Sequence, residues 1–258
     1  MKKKRELESI GQLLSIMDRL REDCPWDKKQ TFESLSSLTV EETYELIDAI
    51  SEDNNEEIKN ELGDLLLHII FYSKIASETN LFDISDVANS ISNKLINRHP
   101  HIFKNKKEIS ENEVKRNWEK LKLSEGRKSV LSGVPNSLPP LLKAIRIQKK
   151  VSNIGFDWKK SKHVKKKVYE EIDEFFLEIE SNNIDKAKEE FGDLLFSLIN
   201  YSRHIGLDAN SCLEISNKKF VKRFKALEKM IKEKNENFDT LTAKDMNKMW
   251  DLVKKIKS

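Results

Sequence analysis

Glycine and proline are scarce in this chain, at 7 and 5 among 258 residues. Few tight turns and few helix breaks can occur, so long helices are expected. Cysteine is rarer still: Cys24 and Cys212 stand alone, without CxxC or other metal-type spacing. This excludes a disulfide framework and a thiolate metal centre, and leaves two reduced thiols in a cytoplasmic protein. No run of about 18 apolar residues occurs, so no membrane span is expected. The opening MKKKRELESIGQLL is basic but lacks the apolar run of a signal peptide. An excess of one charge is missing too. With 47 basic and 44 acidic residues the net charge is +3, which gives no global case for a nucleic-acid partner.

Apolar residues make up 38% and charged residues 35% of the chain, which describes one large or two small cores under a heavily solvated surface. Helical spacing of apolar residues runs almost throughout, with no convincing strand, so the fold class is all-α. The pattern predicts helices at 6–21, 32–51, 56–79, 84–97 and 110–122, then at 138–151, 163–181, 184–205, 209–234 and 242–256. Between these sets, SEGRKSVLSGVPNSLPP holds two Gly, three Pro and four Ser, the mark of a linker.

The two halves repeat each other. EETYELIDAI and NELGDLLLHII are echoed by YEEIDEFFLEI and EEFGDLLFSLI, and CPWDKKQ, ISNKLINRH and KRNWEKLK by IGFDWKK, ISNKKFVKR and NKMWDLVKK. The chain reads as a tandem duplication of one helical unit, with units at 1–123 and 138–258 joined by a linker at 124–137.

Four acids keep their spacing in both copies. Glu42, Glu45, Glu61 and Asp64 map onto Glu171, Glu174, Glu190 and Asp193, each shifted by 129 positions. On the first helix Val40, Tyr44 and Ile47 share one face, while Glu41, Glu42, Glu45 and Asp48 fall on the other, as a solvated face would. Thr39 with Glu42 also fits a capping box, although Val168 replaces the threonine in the second copy. On the partner helix Leu62, Leu65, Leu66, Leu67, Ile69 and Ile70 cover nearly the whole circumference. Such a helix is normally buried together with its acids, and buried carboxylates need partners or a metal. Paired i,i+3 acids on two antiparallel helices can aim at one point. Four oxygen donors without cysteine describe a hard-cation site, Mg²⁺ or Mn²⁺ rather than Zn²⁺, of the kind that serves phosphate chemistry.

These motifs, with RHPHIF and ELGDLL, resemble the tandem-domain MazG type of all-α nucleoside triphosphate pyrophosphohydrolases over nearly the whole chain. The resemblance implies Mg²⁺ held by Glu42, Glu45, Glu61 and Asp64 in the first unit and by Glu171, Glu174, Glu190 and Asp193 in the second. It further implies cleavage between the α and β phosphates of a nucleoside triphosphate, giving the monophosphate and pyrophosphate. It implies loose base selectivity, a nucleotide-pool housecleaning role and a homodimer. Glu171 and Glu174 would carry the catalysis, with Glu41 and Glu170 as adjacent acids for a base or supporting role.

The two sites differ at matched positions. Asn200 can hydrogen-bond a ribose or base where Phe71 cannot, and the basic pair Lys219 and Arg223 faces Leu95 and His99. That pair shares a helix face and can hold phosphates, so the second unit is expected to be the main catalytic one. His68, the counterpart of Ser197, reads as a buried, hydrogen-bonded histidine. Phe156, Trp158 and Trp250 are candidates to stack on the base, Trp250 the better placed on its charged helix; Lys186 can reach a phosphate. Three other readings stand beside the enzyme. One is a relative specialised for deoxyuridine nucleotides or phosphoribosyl-ATP. Another is a metal-stabilised helical interaction protein without catalysis. The third, a nucleic-acid binder, rests on KKKR, KHVKKK and NKKFVKRFK, runs that lack interleaved aromatics.

Overall fold

The same turn opens the central helix of both halves. Asp53 and Asn182 sit at φ 54° and 53°, a left-handed conformation that short polar side chains tolerate. The next residue, Asn54 or Asn183, caps the following helix by accepting from the backbone N–H three residues on. In the computed structural model, residues 2–104, 108–110, 113–114, 117–118, 121 and 129–255 are described, and among them all regular structure is helical.

The chain divides into two units, Met1–Glu108 and Ile109–Ser258. In the first, α1 (Lys2–Asp23) leads through a 3-10 turn at Asp27–Lys29 to α2 (Phe32–Ser51), α3 (Asn55–Glu78), α4 (Ile84–Arg98) and a short α5 (Pro100–Phe103). Met17, Leu35, Ile70 and Phe71 form its core, with Leu13, Leu38, Leu66 and Tyr72 packed around them. In the second, α6 (Pro140–Asn153), α7 (Ser161–Glu180), α8 (Ile184–His204), α9 (Ala209–Glu233) and α10 (Ala243–Lys255) follow. Leu227, Ile231, Met249 and Val253 join α9 to α10, while Val164, Val168, Ala187 and Ile199 are buried on α7 and α8. No helix among the described residues is long and apolar enough to cross a membrane.

The structure departs from the sequence-based expectations at two points, the role of Thr39 and the burial of α3. By compactness the chain divides at Glu108/Ile109, and the 124–137 stretch read as a linker lies beyond that point. Part of that stretch belongs to the second unit, because Lys150, fully buried, donates its Nζ to the carbonyls of Val130 and Ser132. The predicted helix at 110–122 lies largely outside the described residues. Thr39 caps nothing: it sits inside α2, whose cap is the Thr31–Ser34 box, and its Oγ1 donates to the Leu35 carbonyl. Finally, α3 is not buried all round. Leu62 and Ile69 are 53% and 47% exposed, as are Val40, Tyr44 and Ile47 on α2 to a similar degree, whereas Glu42 and Glu61 are half-buried. The helix pair draws Glu42, Glu61 and Asp64 partly inward, leaves Glu41, Glu45 and Asp48 exposed, and turns part of its aliphatic surface outward.

Candidate active site

In the second unit the acids are brought together by the α7–α8 pair. One carboxylate oxygen from each of Glu171, Glu174 and Glu190 lies within 4.8 Å of the others. Glu171 is buried, Glu174 and Glu190 half-buried. Burial first, then the like charges of Glu174, Glu171 and Asp193, hold the Glu190 carboxyl above the usual carboxylate range. Asp193 itself stands outside the tight group of three but lines the same cavity.

One cation that the sequence reading passed over sits among these oxygens. Lys167 Nζ is 2.7 Å from Glu170 Oε1 and 2.7 Å from Glu171 Oε1, with Glu174 Oε2 at 3.9 Å. Hydrogen bonds to Glu170 and Glu171 keep its ammonium charged well above the ordinary lysine range, and the same bond pulls the exposed Glu170 down. At 129 positions earlier the first unit has Leu38.

The cluster opens on a cavity of about 530 Å³. Its walls include Glu171, Asp193, Trp158, Asn200, Gln148 and Arg203. The loop that carries Trp158 turns at Gly155, whose φ of 92° suits glycine. It is anchored by Asp157, which binds Arg203 Nη1 and Nη2 at 2.7 Å each and His204 Nε2 at 2.8 Å. These bonds outweigh burial and hold the Asp157 carboxyl far below the usual range. Arg203 also reaches Ser152 Oγ and Asn200 Oδ1, so α6, the loop and α8 are tied at one guanidinium. Asp157, Arg203, His204, Gln148 and Lys167 were all missed from sequence. Only the invariance of the aspartate between CPWDKKQ and IGFDWKK could have drawn notice to one of them.

Of the other substrate-binding candidates, Asn200, Phe156 and Trp158 line the cavity and four do not. Lys186 lies 4.0 Å from Glu178. Lys219 is exposed and Arg223 half-buried on α9. Trp250 packs on the Leu227–Met249 core and lies 5.4 Å from Phe220.

The first unit repeats the acidic group with different neighbours. Oxygens of Glu42, Glu45 and Glu61 lie within 4.8 Å of one another, with Asp64 again outside the three. Burial is the largest cause raising the pKa of Glu42 and of Glu61, followed by their acidic neighbours. Glu61 Oε2 is buried without a hydrogen-bond partner. Where the second unit has Ser197 and Asn200, His68 and Phe71 are buried. His68 Nδ1 lies 2.9 Å from Thr39 Oγ1, which is 2.7 Å from Tyr72 OH, and burial lowers the His68 pKa. Phe71 belongs to the core, beneath the guanidinium of Arg21.

Convergent carboxylates without a sulfur donor among them fit a hard divalent cation in either unit, and in the first the buried Glu61 Oε2 is left without a partner. Comparison with known proteins places this geometry. The chain is 41% identical to a nucleoside triphosphate pyrophosphohydrolase of Escherichia coli, across 96% of this chain and 98% of that one. It is 42% identical to the nucleoside triphosphate pyrophosphohydrolase/pyrophosphatase MazG of Thermotoga maritima, across 94% of each. An uncharacterized protein, YabN of Bacillus subtilis, is 40% identical over 93% of this chain and 50% of its own length. The profile of the MazG nucleotide pyrophosphohydrolase domain matches twice, at residues 30–103 and 159–228. Both matches enclose one acidic helix pair, and the chain belongs to the MazG nucleotide pyrophosphohydrolase family.

Proposed function

We propose that the chain hydrolyses nucleoside triphosphates between the α and β phosphates, releasing the monophosphate and pyrophosphate, with the main site in the second unit. The observation that carries this reading is that Glu171 of the acidic group, with Asp193 and Lys167, lines one cavity with Trp158 and Asn200. Phosphates and base then have separate places in one site.

Glu171, Glu174 and Glu190, with Asp193 alongside, would hold Mg²⁺, and Mn²⁺ fits the same donors. Bound there, the metal neutralises phosphate oxygens and lowers the pKa of water. The chain's own groups do the rest. The Lys167 ammonium adds a fixed positive charge beside the carboxylates. Glu170, held ionised by that lysine, is placed to accept a proton from an attacking water. The water oxygen bonds to the α phosphorus, and the bridging oxygen leaves with pyrophosphate. Lys219 and Arg223 are assigned to the departing phosphates; a shared helix face supports this. The Asp157–Arg203 anchor keeps the Trp158 loop in place beside the base.

In the first unit, buried His68 and Phe71 stand where the second has Ser197 and Asn200, which favours a weaker or structural role for 1–123 than for 138–258. The outward aliphatic face of Val40, Tyr44, Ile47 and Leu62 supports a homodimer. Free Cys24 and Cys212 accord with a reducing, cytoplasmic setting.

The test is product analysis with GTP and Mg²⁺ for the wild type, Glu45→Gln, Glu174→Gln and the double variant. GMP and pyrophosphate, lost in Glu174→Gln and kept in Glu45→Gln, is the expected outcome. Loss that needs both substitutions would establish two working sites instead. No product from any nucleoside triphosphate would leave a metal-stabilised scaffold.

A further inference from the structure

Two buried polar atoms on the cavity wall have no partner among the described residues: Gln148 Oε1 and Arg203 Nε. Gln148 is 3% exposed, and its Nε2 donates to the Phe196 carbonyl at 2.7 Å. A carbonyl only accepts, so this bond fixes which end of the carboxamide is nitrogen. The remaining end is an acceptor, out of the reach of bulk water and unmatched. Asn200 is fixed by the same logic. Its Oδ1 accepts from Arg203 Nη2 at 2.7 Å, which leaves its NH₂ group as the other end. Phe196 and Asn200 are one helical turn apart on α8. The acceptor of Gln148 and the donor of Asn200 are therefore held on neighbouring parts of one wall.

We propose that Gln148, acting with Asn200, reads the hydrogen-bonding edge of the nucleobase. The inference rests on the assignment of this cavity to a nucleoside triphosphate. Each natural base carries an N–H beside an acceptor on one edge, which a fixed acceptor and donor can match without requiring one particular base. Trp158 supplies an apolar surface for the ring faces, and the acids at the other wall leave the triphosphate only one direction to lie. An unmatched buried acceptor is costly until a ligand donor arrives, so a base that lacks the N–H forfeits that gain. The Phe196 tie makes Gln148 look like a helix-packing residue only. Its unmatched oxygen, buried in a residue that lines the cavity together with Asn200 and Trp158, is what a packing role leaves unexplained.

The experiment compares UTP with 3-methyl-UTP, whose ring N–H is blocked, and with 5-methyl-UTP, which adds the same bulk elsewhere. With Mg²⁺ present, the wild type should favour UTP over 3-methyl-UTP by about tenfold in kcat/KM, mostly through KM, as one hydrogen bond predicts. UTP and 5-methyl-UTP should stay close. Gln148→Met keeps length and apolar packing, and should reduce the UTP to 3-methyl-UTP ratio to near one. A ratio near one in the wild type, or a preference that survives in Gln148→Met, overturns the proposal. Should Gln148→Met not fold, the wild-type comparison alone decides. Calorimetric titration of the same nucleotides separates the two readings. Discrimination in binding without turnover sinks the hydrolase assignment and keeps the base reader, while turnover without discrimination does the reverse.

Discussion

Replacing Lys167 by methionine tests the electrostatics of the site directly. The side chain keeps its length, so α7 packing is retained while the charge is lost. Lys167 Nζ contacts Glu170 and Glu171 at 2.7 Å each, and the side chain of Glu171 is only 6% exposed. Breaking a fully buried pair costs about 3–5 kcal/mol. Lys167 is itself 38% exposed on its side chain, and solvent screens such a pair, so a loss of about 2 kcal/mol is the reasoned figure. In a protein of this size that lowers Tm by roughly 4–8 °C. The assay is scanning calorimetry of wild type and variant, each in EDTA and in Mg²⁺. The deficit should be large in EDTA and shrink in Mg²⁺, because a divalent cation replaces the missing charge. An equal deficit under both conditions would show that Lys167 acts by packing, and no deficit would refute the charge argument.

Other outcomes follow from the same geometry. The raised pKa values of Glu42, Glu61 and Glu190 mean the folded chain binds protons more readily than the unfolded chain. These groups thus contribute stability that grows as pH falls through their folded values and is complete below the unfolded range. Without metal, these carboxyls should raise Tm as pH falls towards the ordinary carboxylate range. His68 opposes them, since its lowered pKa costs stability as the unfolded histidine protonates. Mg²⁺ should raise Tm more at pH 8, where the carboxylates are free to bind; a metal-independent Tm would contradict this. Asp157→Asn breaks the bidentate tie to Arg203 and should cost about 2–3 kcal/mol, read as a lower urea midpoint together with a higher KM for GTP. Ile47→Asp places charge on the outward face of α2 and should convert a dimer into a monomer in light scattering; a monomeric wild type would remove the basis for the homodimer.

Helices were legible because their cause is local. Periodicity and the Asn-capped turns put α2, α3, α7, α8 and α9 within a few residues of their observed ends, and a repeated acid spacing shows the clusters without any knowledge of packing. The difference between Asn200 and Phe71 was legible for the same reason, since it compares two positions of one chain. What stayed hidden depends on partners distant in sequence. Asp157 meets Arg203 across 46 positions and Gln148 meets Phe196 across 48, and no spacing rule joins them. Lys167 lies in KHVKKK, a run that reads as a solvated basic face until the fold sets one of its lysines against buried glutamates. Periodicity also defines two faces of α2 without saying which one turns inward, and here Val40, Tyr44 and Ile47 lie outward while Glu42 is drawn in beside Leu38, Leu46 and Ala49.

The outward aliphatic residues of the α2–α3 pair tie two properties that are usually adjusted separately. Tyr44 and Glu45 are adjacent, and Ile47 lies two residues beyond. Any attempt to make the chain more soluble by adding acidic residues to its greasy exterior would place new negative charge within one turn of the carboxylates. The cluster's hold on a cation would tighten and its tolerance of an approaching triphosphate would fall. Solubility engineering on this face should therefore use lysine or neutral polar residues, and a variant selected for good behaviour in solution should be assayed for changed metal demand.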